Sequence, residues 1–188
     1  AGHMVALHGR KAWCSGAAVL SHALLTAWDA DDQQQLVAVA LDQPGVTVTE
    51  QGWQAVGMGA TGSVEVLFDG AEAQAIGNPG DYLQRPGFWQ GGIGIAACWY
   101  GAARQIAETL RNQCGQRPEP HALAHLGAVD SALQAAADVL RFSALHIDAH
   151  PDDNAELLAR RARAVVEQSA EQVMREVGRA LGAGPFCK

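Results

Sequence analysis

No apolar run in this sequence approaches the ~20 residues that a membrane-spanning helix needs, and no secretory leader is recognisable at its start. Cysteine is scarce: Cys14, Cys98, Cys114 and Cys187 are scattered, with no Cys-x-x-Cys pair. That disfavours both a zinc finger and a disulfide scaffold, and it leads to the expectation of reduced thiols in a cytoplasmic protein. Basic residues are outnumbered and unclustered, and the net charge is −7 at pH 7. Neither nucleic acid nor an anionic membrane is therefore an expected partner. There is no His-Glu-x-x-His helix and no nucleophile-elbow motif, which removes the commonest zinc-hydrolase and serine-hydrolase readings. Ala1-Gly2-His3-Met4 is either a cloning scar or native sequence.

What is present is apolar material, 48% of 188 residues, enough for a core in one domain or two small ones. Met4 to His8, Ala23 to Trp28, Leu36 to Leu41 and Val46 to Thr49 are short β-compatible runs. A solvated turn, Asp29 to Gln35, splits the second from the third, and Pro44-Gly45 makes another turn. Ser63 to Phe68 alternates, with Val64, Val66 and Phe68 on one face, and Asp69-Gly70 closes it. Gln74 to Gly87 is dense in Gly and Pro and reads as a linker.

Beyond it the period becomes helical. The first stripe is Phe88, Gly92, Ile95, Trp99, Ala102, Ile106 and Leu110. The second is Leu126, Val129, Leu133, Ala136, Leu140, Ser143 and Ile147. A third helix begins at Pro151-Asp152-Asp153 and carries Leu158, Ala162, Val165, Ser169, Val173, Val177 and Leu181, until Gly182, Gly184 and Pro185 stop it. The expected class is α+β: a small antiparallel β-barrel or sandwich over residues 1–76, a linker over 77–87, and an antiparallel long-helix bundle over 88–188.

Two constellations invite a metal or a phosphate. His121/His125 and His146/His150 are i,i+4 pairs, each able to offer two nitrogens from one helix face. About 25 residues separate the pairs, ~37 Å along one helix, so they do not converge on one ion. Solvated helix-end histidines are the expected reading, with no metal. Gly91-Gly92-Ile93-Gly94 does not follow a strand as a phosphate loop should. Close helix packing through small residues is the expected reason for it.

The organising stretch is Gly9-Arg10-Lys11-Ala12-Trp13-Cys14-Ser15-Gly16. It opens as a Gly-Arg-Lys turn after the run Met4 to Leu7. In an extended strand, Trp13 and Ser15 would share one face, suiting a flat ligand with a polar edge. A Trp in a sheet core beside a bystander Ser is the other reading. The octet resembles the middle-domain signature of the acyl-CoA dehydrogenase family, roughly Gly-x-Lys-x-Trp-Ile-Ser/Thr. Gly57-Met58-Gly59-Ala60-Thr61-Gly62-Ser63, leading to Val66-Leu67-Phe68-Asp69, resembles that family's second middle-domain block. Gly178 to Gly184 is similar to its Gly-Gly-x-Gly segment, with Ala183 in place of one Gly.

The resemblance implies FAD as cofactor. Trp13 would lie against the flavin, the Ser15 hydroxyl would bond flavin N5, and Gly182 would approach the cofactor. Arg117 would reach the pyrophosphate in a neighbouring subunit, although a solvated loop arginine is the competing reading. Acyl-CoA substrates and a homo-oligomer built through the C-terminal helices follow from the same resemblance. The family's N-terminal helical domain, its Thr-Glu-Pro-x-x-Gly-Ser-Asp segment and its catalytic glutamate are not matched. Gln90-Gly91-Gly92 stands where some relatives carry that glutamate. The 188 residues thus read as a fragment or degenerate relative, inactive by themselves; the alternative is a non-enzymatic assembly or ligand-binding module.

Overall fold

The structure, a computed structural model, describes residues 3–117 and 119–184. The expectations for Ala1, Gly2, Pro185 and Cys187 fall outside the described residues. The chain divides into two compact units, Ala1–Gln84 and Arg85–Lys188.

The first unit is a curled antiparallel sheet of five strands: β1 (Met4–Cys14), β2 (His22–Trp28), β3 (Gln34–Ala40), β4 (Val46–Val48) and β5 (Val64–Ile76). Their order is β1-β5-β3-β2, and β4 also pairs with β5. β5 is thus the strand on which the sheet is built. Its alternation buries Val66 and Phe68 and then, one residue out of phase, Ala71, Ala73 and Ala75. The slip is a bulge: Leu7 lies opposite Ala71 and His8 opposite Asp69, leaving Gly70 unpaired at φ 70°. Asp69-Gly70 therefore does not close the strand as expected. The residue pair that makes a tight turn also makes a glycine bulge, and the ladder runs on to Ile76.

β1 likewise runs straight through the expected Gly9-Arg10-Lys11 turn. The core joins Leu7, Val37, Val39, Leu41, Val66 and Phe68. Small residues on the inner face of β5 let the flanking strands curl over it. Gly45 (φ 82°) admits no side chain, since a Cβ there would meet the Asp69 carbonyl oxygen at 2.5 Å. A one-turn helix, α1 (Asp81–Gln84), ends the unit.

The second unit holds α2 (Pro86–Gln116), α3 (Pro120–Ala149) and α4 (Glu156–Leu181). Proline in the first turn of α2 and α3 marks their starts, where its missing N–H is no loss. α4 begins later than Pro151: Asn154 Oδ1 accepts the Glu156 N–H at 2.8 Å, leaving 151–154 as a turn. One end of the bundle gathers Leu110, Cys114, Ala122, Val129, Val173 and Val177. The other gathers Trp89, Ile93, Ile147, Leu158, Ala159 and Ala162. The helices therefore run up, down and up.

The stripe of α3 is the one expected, and so is that of α4 except that Val166, not Val165, is the valine fully buried there. The stripe of α2 is not: it buries Ile93, Ala96, Ala103, Ala107, Leu110 and Cys114, while Ile95 is 50% exposed. α3 and α4 both dock on its alanine face, because small side chains permit a close approach. A stripe traced through the bulkiest residues lands one position off. Buried polar groups are matched here: Ser143 Oγ donates to Val139 O at 2.7 Å. His125 Nδ1 lies 2.6 Å from Glu176 Oε2, and this bond holds the Glu176 carboxyl below the ordinary carboxylate range.

Candidate functional site

The end of β1 is not extended. Between Lys11 (opposite Val66) and Cys14 (opposite Val64), β1 carries one residue more than β5. Trp13 takes up the excess at φ 59°, a left-handed conformation costing a non-glycine residue about 1–2 kcal/mol. A bulky residue so placed is a real outlier, and such strain gathers at functional sites. The indole is 76% exposed, so burial does not explain it. Ser15 lies past the strand in the turn that follows. Alternation along a strand is therefore not what relates Trp13 to Ser15; the bulge and the turn do. Both still line one cavity of about 540 Å³.

That cavity lies between β1 and β2, which occupy opposite ends of the strand order and are brought face to face by the curl. Two further hollows of about 340 and 410 Å³ lie between the same two strands. Lys11 spans the gap: its Nζ donates to Thr26 O at 3.1 Å and lies 3.4 Å from Thr26 Oγ1. The rest of the main cavity is largely apolar, with Leu20, Leu25, Leu36 and Phe68; none of the described lining residues is a carboxylate. Cys14 also lines it, and burial raises its thiol pKa against the opposing pull of the Lys11 ammonium.

A hydroxyl cluster stands behind Ser15. Ser15 Oγ is 2.6 Å from Ser63 Oγ, and Ser63 Oγ is 3.2 Å from Thr61 Oγ1. Thr61 Oγ1 donates to Met58 O at 2.8 Å, as does Trp53 Nε1 at 2.9 Å. The Gly16 N–H donates to Thr61 O at 3.3 Å, joining the two segments through their backbones as well. The second sequence block thus sits directly on the octet. Sequence reasoning noticed both blocks and missed the contact. Only Thr61 and Ser63, two hydroxyls two residues apart before a strand, could have signalled it.

Arg117 and Gly182 belong to the other unit. Arg117 caps the C-terminus of α2, and Gly182 (φ 64°) that of α4. With the helices alternating in direction, both lie at one end of the bundle, and both are exposed. The glycines of α2 do not serve close packing: a Cβ at Gly91, Gly92 or Gly94 would meet nothing within 4 Å among the described residues. Arg163 Nη1 instead donates to Gly92 O at 2.9 Å. Gln90 Nε2 donates to Pro151 O at 2.7 Å. Of the histidine pairs, His125 is engaged by Glu176, and the His146 and His150 rings are 4.9 Å apart. No group of three metal-ligating side chains is found among the described residues, and no helix there is long and apolar enough to cross a membrane.

No family model matches the chain, and no curated protein matches it. Solved structures do. A putative acyl-CoA dehydrogenase from Mycobacterium abscessus is 18% identical, with a TM-score of 0.78 over 98% of this chain and 50% of its own. A nitrososynthase from Micromonospora carbonacea var. africana is 23% identical, with a TM-score of 0.75 over 97% of this chain and 52% of its own. An acyl-CoA dehydrogenase from Bacillus anthracis, complexed with FAD, is 15% identical, with a TM-score of 0.73 over 96% of this chain and 36% of its own. The chain spans about half the length of the first two and about a third of the last. At these identities the likeness establishes the fold: a curled antiparallel sheet plus helices, as in part of an acyl-CoA dehydrogenase-like structure.

Proposed function

We propose that this chain forms the cofactor side of an acyl-CoA dehydrogenase-like flavoprotein, with the ring of FAD in the cavity between β1 and β2. One observation carries the reading. Trp13 is held in a strained conformation, exposed, on the wall of a cavity that also presents the Ser15 hydroxyl. At about 540 Å³ the cavity falls within the range of small-molecule sites. Its lining fits a flat ring with a polar edge: indole for the face, hydroxyl for the edge, aliphatic side chains elsewhere. When bound, FAD would supply the hydride-accepting chemistry; Trp13 would cover the ring and Ser15 would fix it by one hydrogen bond. Arg117 is proposed to reach the pyrophosphate of FAD bound in a neighbouring subunit, Gly182 is proposed as a cofactor contact, and acyl-CoA is the proposed substrate class.

The test is titration with FAD, followed by flavin fluorescence. Trp13→Ala should weaken binding by about 1–3 kcal/mol, the scale of aromatic stacking, and Ser15→Ala by about 0.5–1.5 kcal/mol, that of one neutral hydrogen bond. Trp13→Gly separates function from folding. It removes the stacking partner and the left-handed strain together, so FAD should weaken while thermal stability does not fall. Unchanged FAD titration in all three variants refutes the assignment. A wild-type chain that binds no FAD returns the reading to a non-enzymatic module.

A homo-oligomer is proposed as well, but not through the stripe of α4. That stripe is spent inside the unit, against α2 and α3. The outward apolar residues are elsewhere, with Phe142 60% and Leu145 70% exposed on α3, and such surfaces mark protein contacts. A monomeric mass by light scattering at tens of micromolar counts against this.

A further inference from the structure

The hydroxyl cluster behind Ser15 does more than hold it in place. A hydroxyl has one proton to give and lone pairs to receive. Ser15, Ser63 and Thr61 stand in a row at 2.6 and 3.2 Å, so the direction of one bond dictates the next. In one order, Thr61 donates to the Met58 carbonyl, which can only accept. Thr61 must then accept from Ser63, and Ser63, its single proton used, must accept from Ser15. Ser15 is left showing only lone pairs to the cavity.

In the other order, Thr61 donates to Ser63 and Ser63 to Ser15, so the Ser15 proton points outward. Met58 O tolerates the change, because it still receives Trp53 Nε1 at 2.9 Å and the Thr61 backbone N–H at 3.1 Å. Ser63 is only 4% exposed, which denies it a solvent partner to break the coupling. The row therefore switches as a unit.

We propose that Thr61 and Ser63 are positioning residues that form a two-state hydroxyl relay. The relay sets whether Ser15 accepts from or donates to the cavity ligand, and so balances the site between reduced and oxidised flavin. The inference rests on the flavin reading above. Oxidised flavin offers a lone pair at N5 and needs a donor; reduced flavin offers N–H and needs an acceptor. One serine meets both needs only because the row behind it reverses. The Thr61 bond to Met58 O exists in the accepting order alone, so it favours the reduced form.

Thr61→Val tests this at an exposed position with little change of volume. Without the Thr61 hydroxyl, the Ser63 proton has Ser15 as its one partner, and Ser15 is locked as a donor to the cavity. The ratio of dissociation constants, reduced over oxidised FAD, should rise about three- to tenfold, the scale of one neutral hydrogen bond. That is about 14–30 mV lower in midpoint potential, at 29.6 mV per tenfold for a two-electron couple. Thr61→Ser, which keeps the hydroxyl, should restore the wild-type ratio. In a Ser63→Ala background Ser15 turns freely, and adding Thr61→Val should change nothing further. FAD that binds Thr61→Val with an unchanged ratio overturns the relay and leaves the flavin reading standing. A wild-type chain that binds FAD in neither state overturns both.

Discussion

An acyl-CoA added to the 188-residue chain with FAD and a dye acceptor should give no reduction above the no-enzyme blank. Removing the substrate α-proton needs a base within hydrogen-bond reach, and losing one lowers the rate about 10²–10⁴-fold before positioning is counted. None of the described residues lining the main cavity is a carboxylate. Gln90, standing where some family members are expected to carry the glutamate, cannot take a proton at neutral pH, and its amide is bound to Pro151 O at 2.7 Å. Among the described residues lining the cavity, His22 is the one imidazole; it is exposed, with Nδ1 3.0 Å from Ser21 Oγ. Measurable turnover that Trp13→Ala abolishes would show that a base exists. Its survival or loss in His22→Gln would then say whether the imidazole is that base.

Leu110→Ala should be the most damaging single truncation in the helical unit. Leu110 is fully buried, in a cluster with Cys114, Val129, Val173 and Val177 drawn from all three long helices. The packing partners sit on separate helices, so the hole cannot be filled by one side chain turning over. A loss of about 2–5 kcal/mol is expected, the transfer term plus the residual cavity. Urea denaturation followed by far-ultraviolet circular dichroism at unchanged m-value would measure it. A loss below about 1 kcal/mol would mean that the helices close over the gap, and that the end shared by Cys114 and Val177 is looser than its burial suggests.

Much of this architecture could be read before any coordinates, and the exceptions share one cause. Strand and helix periods are long-range averages, so the α3 stripe and all but one position of the α4 stripe survive local irregularity. A bulge is a one-residue event. Asp69-Gly70 looks the same to a reader whether it reverses the chain or only shifts its phase, and the pairing partner that decides between them, Leu7 to His8, is some sixty positions away. The α2 stripe failed similarly: one position of phase separates Ile95 from Ala96, and which of them is buried depends on where α3 and α4 lie. At the site, Trp13 and Ser15 stood out by residue type, but the reason they belong to one cavity did not. It depends on a left-handed Trp13 and a turn. Ser63 lies 48 positions from Ser15, and nothing in its own block says which distant residue it meets.

The gap between β1 and β2 also bears on how the chain behaves among copies of itself. Among the described residues β1 pairs only with β5 and β2 only with β3, so each leaves one edge open, and β1 is eleven residues long. Open edges of that length are templates for aggregation. Lys11 answers this by lying across the opening onto Thr26 O: an ammonium in the slot, already holding a carbonyl that an incoming strand would need. An uninvited strand must first displace it and desolvate the charge. The same lysine that lines the main cavity is thus placed to guard solubility, and a neutral side chain there would leave the cleft as a seam along which like chains could join.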